Sequence, residues 1–543
     1  MLHRPIVSRS QRTVAALMLA LSAALAIATL ATRNLYDDEL SSLHTITSSP
    51  RDVVRLANAS DVHPPGMYLL THFAFSLVPS FRWMNLIPLA VLYAGLAAFA
   101  LTVAPLFRRT SSRLLFLALA TLHPQLLLWG TSFRWYSWWT GLALIALVVA
   151  LQPRQPNPTL SQTRAAAIGP LLGALFYLNY ITLLLGPALA VAMTVRYRNG
   201  VRAALKSALV TVAVFAGVIA PQALVFLRTH LARSSGQRAE ISAAYVRLMQ
   251  GTFASEAYLP WHPLAVVTAI TLASVLLVGF LIRKRANEAT DSAPDFLRSM
   301  RIFTIVFFLL LAISGLGGRP RNGLLLAPCM AAVVAQAAER LSRRTQGAML
   351  AMVVLWSAVG IEHMLTRTGL SRAMMIDRPE QVTAFIQSSA PKGCAVIVTS
   401  DAALAFAVSH SYSSRMLLLS PFTPPLAKTG DDLPAECSHV SLYIAHSYIS
   451  GSAEWVAQAE AELDSVARWI QGAPQTAFFS PDPDAAQKRR LGRLPGLGSD
   501  SASAARVPDF RYTVVSGPIE RSELPALESS LPDFCTPSEC LTR

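Results

Sequence analysis

Residues 14–39 read VAALMLALSAALAIATLATRNLYDDE: no charge from Val14 to Thr32, then three consecutive acids a few positions later. A helix rising about 1.5 Å per residue needs about twenty apolar residues to cross the roughly 30 Å hydrocarbon core of a bilayer. The run follows a basic start, Arg4, Arg9 and Arg12, and no convincing cleavage site precedes Asn34. It therefore reads as an uncleaved first membrane span with a cytoplasmic N-terminus, and no separate signal peptide is needed. The acids that follow it emerge on the external face.

The pattern recurs along the chain. Hydrophobic residues make up 53% and charged residues only 14%, with a mean hydropathy of +0.43. A soluble domain carries about a quarter charged residues. Further spans are expected at about 85–105, 113–129, 138–152, 166–178, 180–195, 206–226, 262–282, 302–317, 322–338 and 347–365, about eleven in all. The fold class is thus mainly α, a polytopic transmembrane bundle over residues 1–365 with an external loop at 33–84. Residues 366–543 read as an external soluble α/β domain.

The net charge of +15 raises nucleic acid as a partner, but its distribution answers otherwise. Basic residues gather at the N-terminus, Arg108 to Arg113, Arg154 to Arg164, Arg196 to Lys206, Arg283 to Arg301 and Glu339 to Arg344. Counted between spans, these loops all fall on one side, and the positive-inside rule makes that side cytoplasmic. The other face receives 33–84, the turn from Trp129 to Ser137, 227–261, the turn from Gly315 to Arg321 and the C-terminal domain.

That domain carries Cys394, Cys437, Cys535 and Cys540, an even number on a side where disulfides persist. Cys394 with Cys437 and Cys535 with Cys540 is the preferred pairing of three. Cys329 falls inside an apolar span and reads as a buried thiol. In the tail, Pro379 to Ser388 and Ala453 to Ile470 are patterned as helices, and Cys394 to Thr399, Ser441 to Ile444 and Tyr512 to Ser516 as strands. Pro481 to Val507, rich in Pro, Gly, Ser and Arg, reads as a loop. No catalytic motif stands in the tail.

Chemistry concentrates in the external segments. An N-cap explains one of Asp37, Asp38 and Glu39 on a juxtamembrane helix running to about Thr45, not three, and acids beside a bilayer tend to mark function. Asp61-Val62-His63-Pro64-Pro65 reads as a helix start, because proline suits the first turn; the helix would lay its apolar face on the membrane. Asp61 and His63 are then held at the helix entrance, facing a polar head group. Arg319 and Arg321 run against the charge bias of an external turn. They suit either a bound phosphate, to which guanidinium offers paired donors, or snorkelling toward lipid head groups. Arg134 is a third external arginine, and its neighbours Trp129, Trp135, Tyr136, Trp138 and Trp139 read as an interfacial aromatic belt rather than a sugar platform. No His/Cys spacing indicates a metal site, and Gly315-Leu316-Gly317-Gly318 lacks the lysine and context of a phosphate loop. No cofactor is expected; a divalent metal is possible but not indicated.

Asp38-Glu39 after the first span, Asp61-x-His63-Pro64-Pro65 with Tyr68 beyond it, Arg134 to Tyr136, Tyr177-Leu178-Asn179-Tyr180, and an arginine turn before Leu324-Leu325-Leu326-Ala327-Pro328 resemble a known group. They resemble the GT-C membrane glycosyltransferases that use polyprenyl-phosphate sugars, such as protein O-mannosyltransferases and the lipid A aminoarabinose transferase. The chain departs from them in Arg321-Asn322, where relatives often show Arg-Tyr, and in the extra Asp37. The resemblance implies that Asp38 or Asp37 is the catalytic base, with Glu39 beside them. It implies substrate binding by Asp61, His63, Tyr68, Arg134, Tyr136, Tyr180, Arg319 and Arg321. Partners would be a polyprenyl-phosphate sugar donor, membrane lipids and a glycan, lipid or protein acceptor, at the periplasmic face of a bacterial inner membrane. The competing readings are a flippase or transporter of lipid-linked saccharides, expected to carry ionisable residues at the midplane, and a non-catalytic envelope assembly protein.

Overall fold

The computed structural model describes residues 9–32, 39, 42, 45–60, 63–80, 83–151, 162–197, 201–233, 245, 248–249, 292–316, 320–365, 379–390, 394–399, 404, 416–419, 433, 435–447, 461, 464–481 and 510–530. The chain divides into two compact units. One comprises Met1–Arg33 and Ser49–Arg372, the other Asn34–Ser48 and Ala373–Arg543.

The first unit is a helix bundle. Its apolar helices are α1 (Arg9–Thr32), α4 (Leu86–Val103), α5 (Thr110–Thr121), α6 (Pro124–Trp129), α7 (Trp135–Leu151), α8 (Gln162–Leu178), α9 (Thr182–Arg196), α10 (Val201–Arg233), α11 (Ser292–Ile313), α12 (Leu326–Ala338) and α13 (Arg343–Leu365). Between α1 and α4 lie α2 (Pro50–Ser60) and α3 (Pro65–Leu77). Among the described residues, six helical stretches are long and apolar enough to cross a membrane, and four shorter apolar helices accompany them. The expected span at 262–282 lies outside the described residues.

Small residues set the closest helix contacts. A Cβ on Gly95 of α4 would fall on the Gly141 carbonyl of α7, and one on Gly141 would fall on the Val91 carbonyl. The Gly169-x-x-x-Gly173 pair of α8 admits Val214 and Val218 of α10 in the same way. Among apolar helices in a bilayer, where burial from water drives nothing, such backbone approach supplies the packing. Gly141→Ala should therefore destabilise the bundle by about 1–3 kcal/mol through overpacking. The check is thermal melting in detergent, with exposed Gly347→Ala, whose Cβ meets nothing within 4 Å, as the neutral control.

Proline breaks the third expected span, 113–129, into α5 and α6. Pro124 has no N–H, and the Gln125 N–H turns to the His123 Nδ1 at 3.1 Å. The Thr121 carbonyl thus lacks its helical partner and accepts the Ser22 hydroxyl of α1 instead. An unsatisfied carbonyl in hydrocarbon costs several kcal/mol, so this crossing bond is what permits the break.

The loops expected on one side meet pairwise. Glu339 Oε1, between α12 and α13, accepts the backbone N–H of Arg108 at 2.6 Å and of Arg109 at 3.1 Å, between α4 and α5. Arg196 Nε and the Tyr197 hydroxyl, after α9, donate to the carbonyls of Leu151 and Ala150 at the end of α7. Each pair of contacts joins helix ends that adjoin basic stretches of the sequence.

The second unit holds α14 (Pro379–Ser389), β1 (Ala395–Thr399), β2 (Met416–Leu419), β3 (His439–Ser447), β4 (Gln475–Pro481), β5 (Phe510–Glu520) and α15 (Leu524–Ser530). The sheet order is β2-β1-β3-β5-β4, parallel at β1–β2 and β1–β3, antiparallel at β3–β5 and β4–β5. β1 is buried on both faces, as a central parallel strand should be. Val396 and Val398 join one core with Leu442, Ile444 and Leu527; Ala395 and Ile397 join the other with Tyr443, Val514 and Ile386 of α14. Cys394 and Cys437 form a disulfide with Cα atoms 5.6 Å apart, as expected from the sequence. Cys535, Cys540 and the loop at 482–509 lie outside the described residues. β2 and β4 are strands the sequence reading lacked. Cys329 is a buried free thiol.

Candidate active site

At the start of α7, the end away from its contact with Arg196, arginines and aromatic rings converge. The α6–α7 connection is a hydroxyl-closed turn. Thr131 Oγ1 donates to the Leu128 carbonyl at 3.0 Å, Ser137 Oγ to the Gly130 carbonyl at 2.5 Å, and the Arg134 N–H to Ser132 Oγ at 3.3 Å. Arg134 is thereby fixed at the head of α7, 5% exposed, with Nη1 donating to the Tyr68 hydroxyl of α3 at 3.2 Å. Arg321 comes from a single 3-10 turn, Pro320–Gly323. It is 7% exposed, its guanidinium 4.9 Å from the Trp129 ring centre and 5.9 Å from that of Tyr136. Gly315 with φ 73° ends α11, and the Asn322 amide donates to the Leu316 carbonyl at 2.8 Å, closing the turn that presents Arg321. Asn322 therefore has a structural use of its own.

Two expectations are corrected here. Trp129, Trp135, Tyr136, Trp138 and Trp139 are buried inside the bundle, so they are not a belt facing the lipid interface. Trp135 packs on Tyr136 at 4.5 Å and edge-on to Trp139 at 5.8 Å. Arg321 does not snorkel outward; rings cover it, which favours retaining a cation out of bulk water.

His63 sits at the entrance of α3, as expected from the prolines. Its Nδ1 pairs with the Asn179 amide at 3.3 Å, and its ring lies 6.4 Å from that of Trp135. Asn179 is itself fixed, its Oδ1 accepting the Ile181 N–H at 2.8 Å. Gly66 lets α3 begin directly against the end of α8: a Cβ there would lie 2.5 Å from the Tyr177 carbonyl oxygen. Tyr180 packs on Phe226 at 4.5 Å and accepts from Gln222 Nε2 at 3.0 Å. α3 buries Met67, Tyr68, Thr71 and Ala74, and exposes Leu70, Phe73 and Leu77 at helical spacing on its outer side.

The structure thus brings Tyr68 to Arg134, Tyr136 to Arg321, and His63 to Asn179, beside Tyr180. Asp37, Asp38, Asp61 and Arg319 lie outside the described residues. Glu39 is helical and fully buried, and belongs to the second unit. Sequence reasoning missed α2, Trp129 as a ring under Arg321, and Asn58 and Gln222. For α2 a signal was present: Ser49 Oγ accepts the Asp52 N–H at 3.3 Å and donates to its carboxylate at 2.7 Å, a cap spelled Ser-x-x-Asp. Among the described residues no three His, Cys, Asp or Glu side chains group to hold a metal.

The architecture is an apolar helix bundle together with a small mixed-sheet unit, and solved structures share it. Among solved structures, ArnT from Cupriavidus metallidurans in the apo state matches with a TM-score of 0.53 at 15% identity, over 92% of this chain and 97% of that one. The same protein bound to undecaprenyl phosphate matches with a TM-score of 0.51 at 15% identity, over 96% and 98%. At that identity the likeness is one of fold. No family model matches the chain, and no curated protein matches it by sequence.

Proposed function

We propose that the protein is a membrane glycosyltransferase that moves a sugar from a polyprenyl-phosphate donor to an acceptor hydroxyl at the external face of a bacterial inner membrane. The observation that carries this is the pair of buried, ring-covered arginines, Arg134 and Arg321, at one end of a bundle whose fold is shared with a protein crystallised with undecaprenyl phosphate. Asp38, or its neighbour Asp37, takes the proton of the acceptor hydroxyl. The freed oxygen attacks the anomeric carbon from the face opposite the phosphate, the anomeric C–O bond breaks, and polyprenyl phosphate leaves with the bonding pair, inverting the centre. A phosphate leaving group needs no strong acid; it gains charge as the bond breaks, and preorganised guanidinium groups stabilise that charge. Arg319 would add to them. Tyr68 and Tyr136 hold the two arginines, and the role proposed for His63 and Asp61 is binding the sugar.

The other end of α7 adjoins the basic stretches at Arg154 and Arg196, which supports a cytoplasmic assignment for it and a periplasmic one for the arginines. The Cys394–Cys437 disulfide supports the same side for the C-terminal unit. Mass analysis of envelope glycans from a strain lacking the protein tests the function: one sugar substituent should disappear and its lipid-linked donor accumulate. Unchanged glycans and donor pools would reject it.

A further inference from the structure

One motif of the sequence has no part in the reaction just described. Pro221-Gln222 lies inside α10, a helix whose apolar stretch 208–227 is otherwise largely exposed. Gln222 is 5% exposed and its amide nitrogen bridges two elements, donating to Asn58 Oδ1 of α2 at 2.9 Å and to the Tyr180 hydroxyl at 3.0 Å. One residue before Tyr180, Asn179 binds His63. Two residues further back, Tyr177 takes the close approach of Gly66 through its carbonyl and donates its hydroxyl to the Val218 carbonyl of α10 at 3.1 Å. The α2–α3 connection is therefore tied on both flanks, at Asn58 and at His63, to one four-residue turn, Tyr177–Tyr180, and Gln222 locks that turn to α2.

We propose that Gln222, with Asn58, is a positioning residue for the reaction: it fixes the start of α3 that presents His63, and acts through it without touching substrate. On this reading Tyr180 is part of the clamp. The inference rests on the transferase reading for its catalytic consequence, and on the hydrogen bonds alone for its physical one. Amide groups that bridge three elements hold a loop only while both bonds are made, and loop segments tied by few bonds open locally at little cost.

The test uses the full-length protein in detergent or nanodiscs. Gln222→Ala should speed amide exchange in a peptide covering residues 56–70 by about tenfold, with distant helices unchanged. It should lower kcat for transfer by about ten- to a hundredfold while leaving KM for the lipid donor within about twofold, because misplacement by an ångström is felt in the reacting geometry. Asn58→Ala should do the same, and the double variant should be no worse than either, as expected of residues acting through one contact. Gln222→Met, which matches the length and volume but cannot donate, should behave like Gln222→Ala. Unchanged exchange at 56–70, additive effects in the double variant, wild-type exchange and kcat in the methionine variant, or a rise in KM that accounts for the whole loss would overturn the clamp. If the wild-type protein transfers no sugar yet the exchange difference is seen, the clamp stands and the transferase reading falls.

Discussion

Asp38→Asn and Asp37→Asn, made singly and together, are expected to leave the protein folded and able to bind its lipid donor, while one of the single variants loses transfer by about 100- to 10,000-fold. The argument is electrostatic as well as positional. On the proposed mechanism, a carboxylate that follows the apolar run 14–32 acts at the membrane surface, where a low dielectric favours its accepting a hydroxyl proton. Asn keeps the shape and the hydrogen bonding but cannot accept that proton. Glu39, fully buried in the second unit, is not proposed for the role, so Glu39→Gln should affect stability before rate. Steady-state transfer of labelled sugar by purified variants, with thermal melting as the fold control, makes the check. Full activity in the Asp37/Asp38 double variant would remove the base from the mechanism.

Arg321→Ala is expected to reduce transfer by about 100- to 1,000-fold, the usual loss when a preorganised donor to developing negative charge is removed. Arg321→Lys should recover only part of it. The ammonium keeps the charge but not the planar face that lies against Trp129 and Tyr136, nor the paired donors a phosphate takes from guanidinium. Arg134→Ala should lose donor affinity and free Tyr68 as well, since their bond spans α3 and α7. Displacement of labelled polyprenyl phosphate separates the two effects, and unchanged affinity and rate in both alanine variants would mean that these arginines serve packing alone.

The helical architecture was legible because hydropathy reports it directly. α1, α8, α12 and α13 lie close to where their apolar runs put them, and two stretches that loop charge assigns to one side, Arg108–Arg109 and Glu339, do meet. What escaped was what depends on pairing across the bundle. The tryptophans near Arg134 have the composition of an interfacial belt, and composition does not tell a ring that faces lipid from one that faces Arg321. Asn58 and Gln222 are ordinary polar residues until α2 and α10 bring them together, although a glutamine just after a proline inside an apolar run is the kind of intramembrane polar group that marks function. β2 and β4 were missed because four or seven residues beside loops carry too little periodicity to separate strand from coil. The acids at 37 and 38 remain a reading of the sequence and its resemblance.

The most direct test of the account is reconstitution. The purified protein in proteoliposomes would receive a polyprenyl-phosphate-linked labelled sugar, with envelope extract from a strain lacking the protein as the acceptor source. The account predicts covalent transfer of label to an extractable acceptor with stoichiometric release of polyprenyl phosphate, abolished by Arg321→Ala. Label that crosses the bilayer still attached to its lipid, with no polyprenyl phosphate released, would contradict it and assign the bundle to transport.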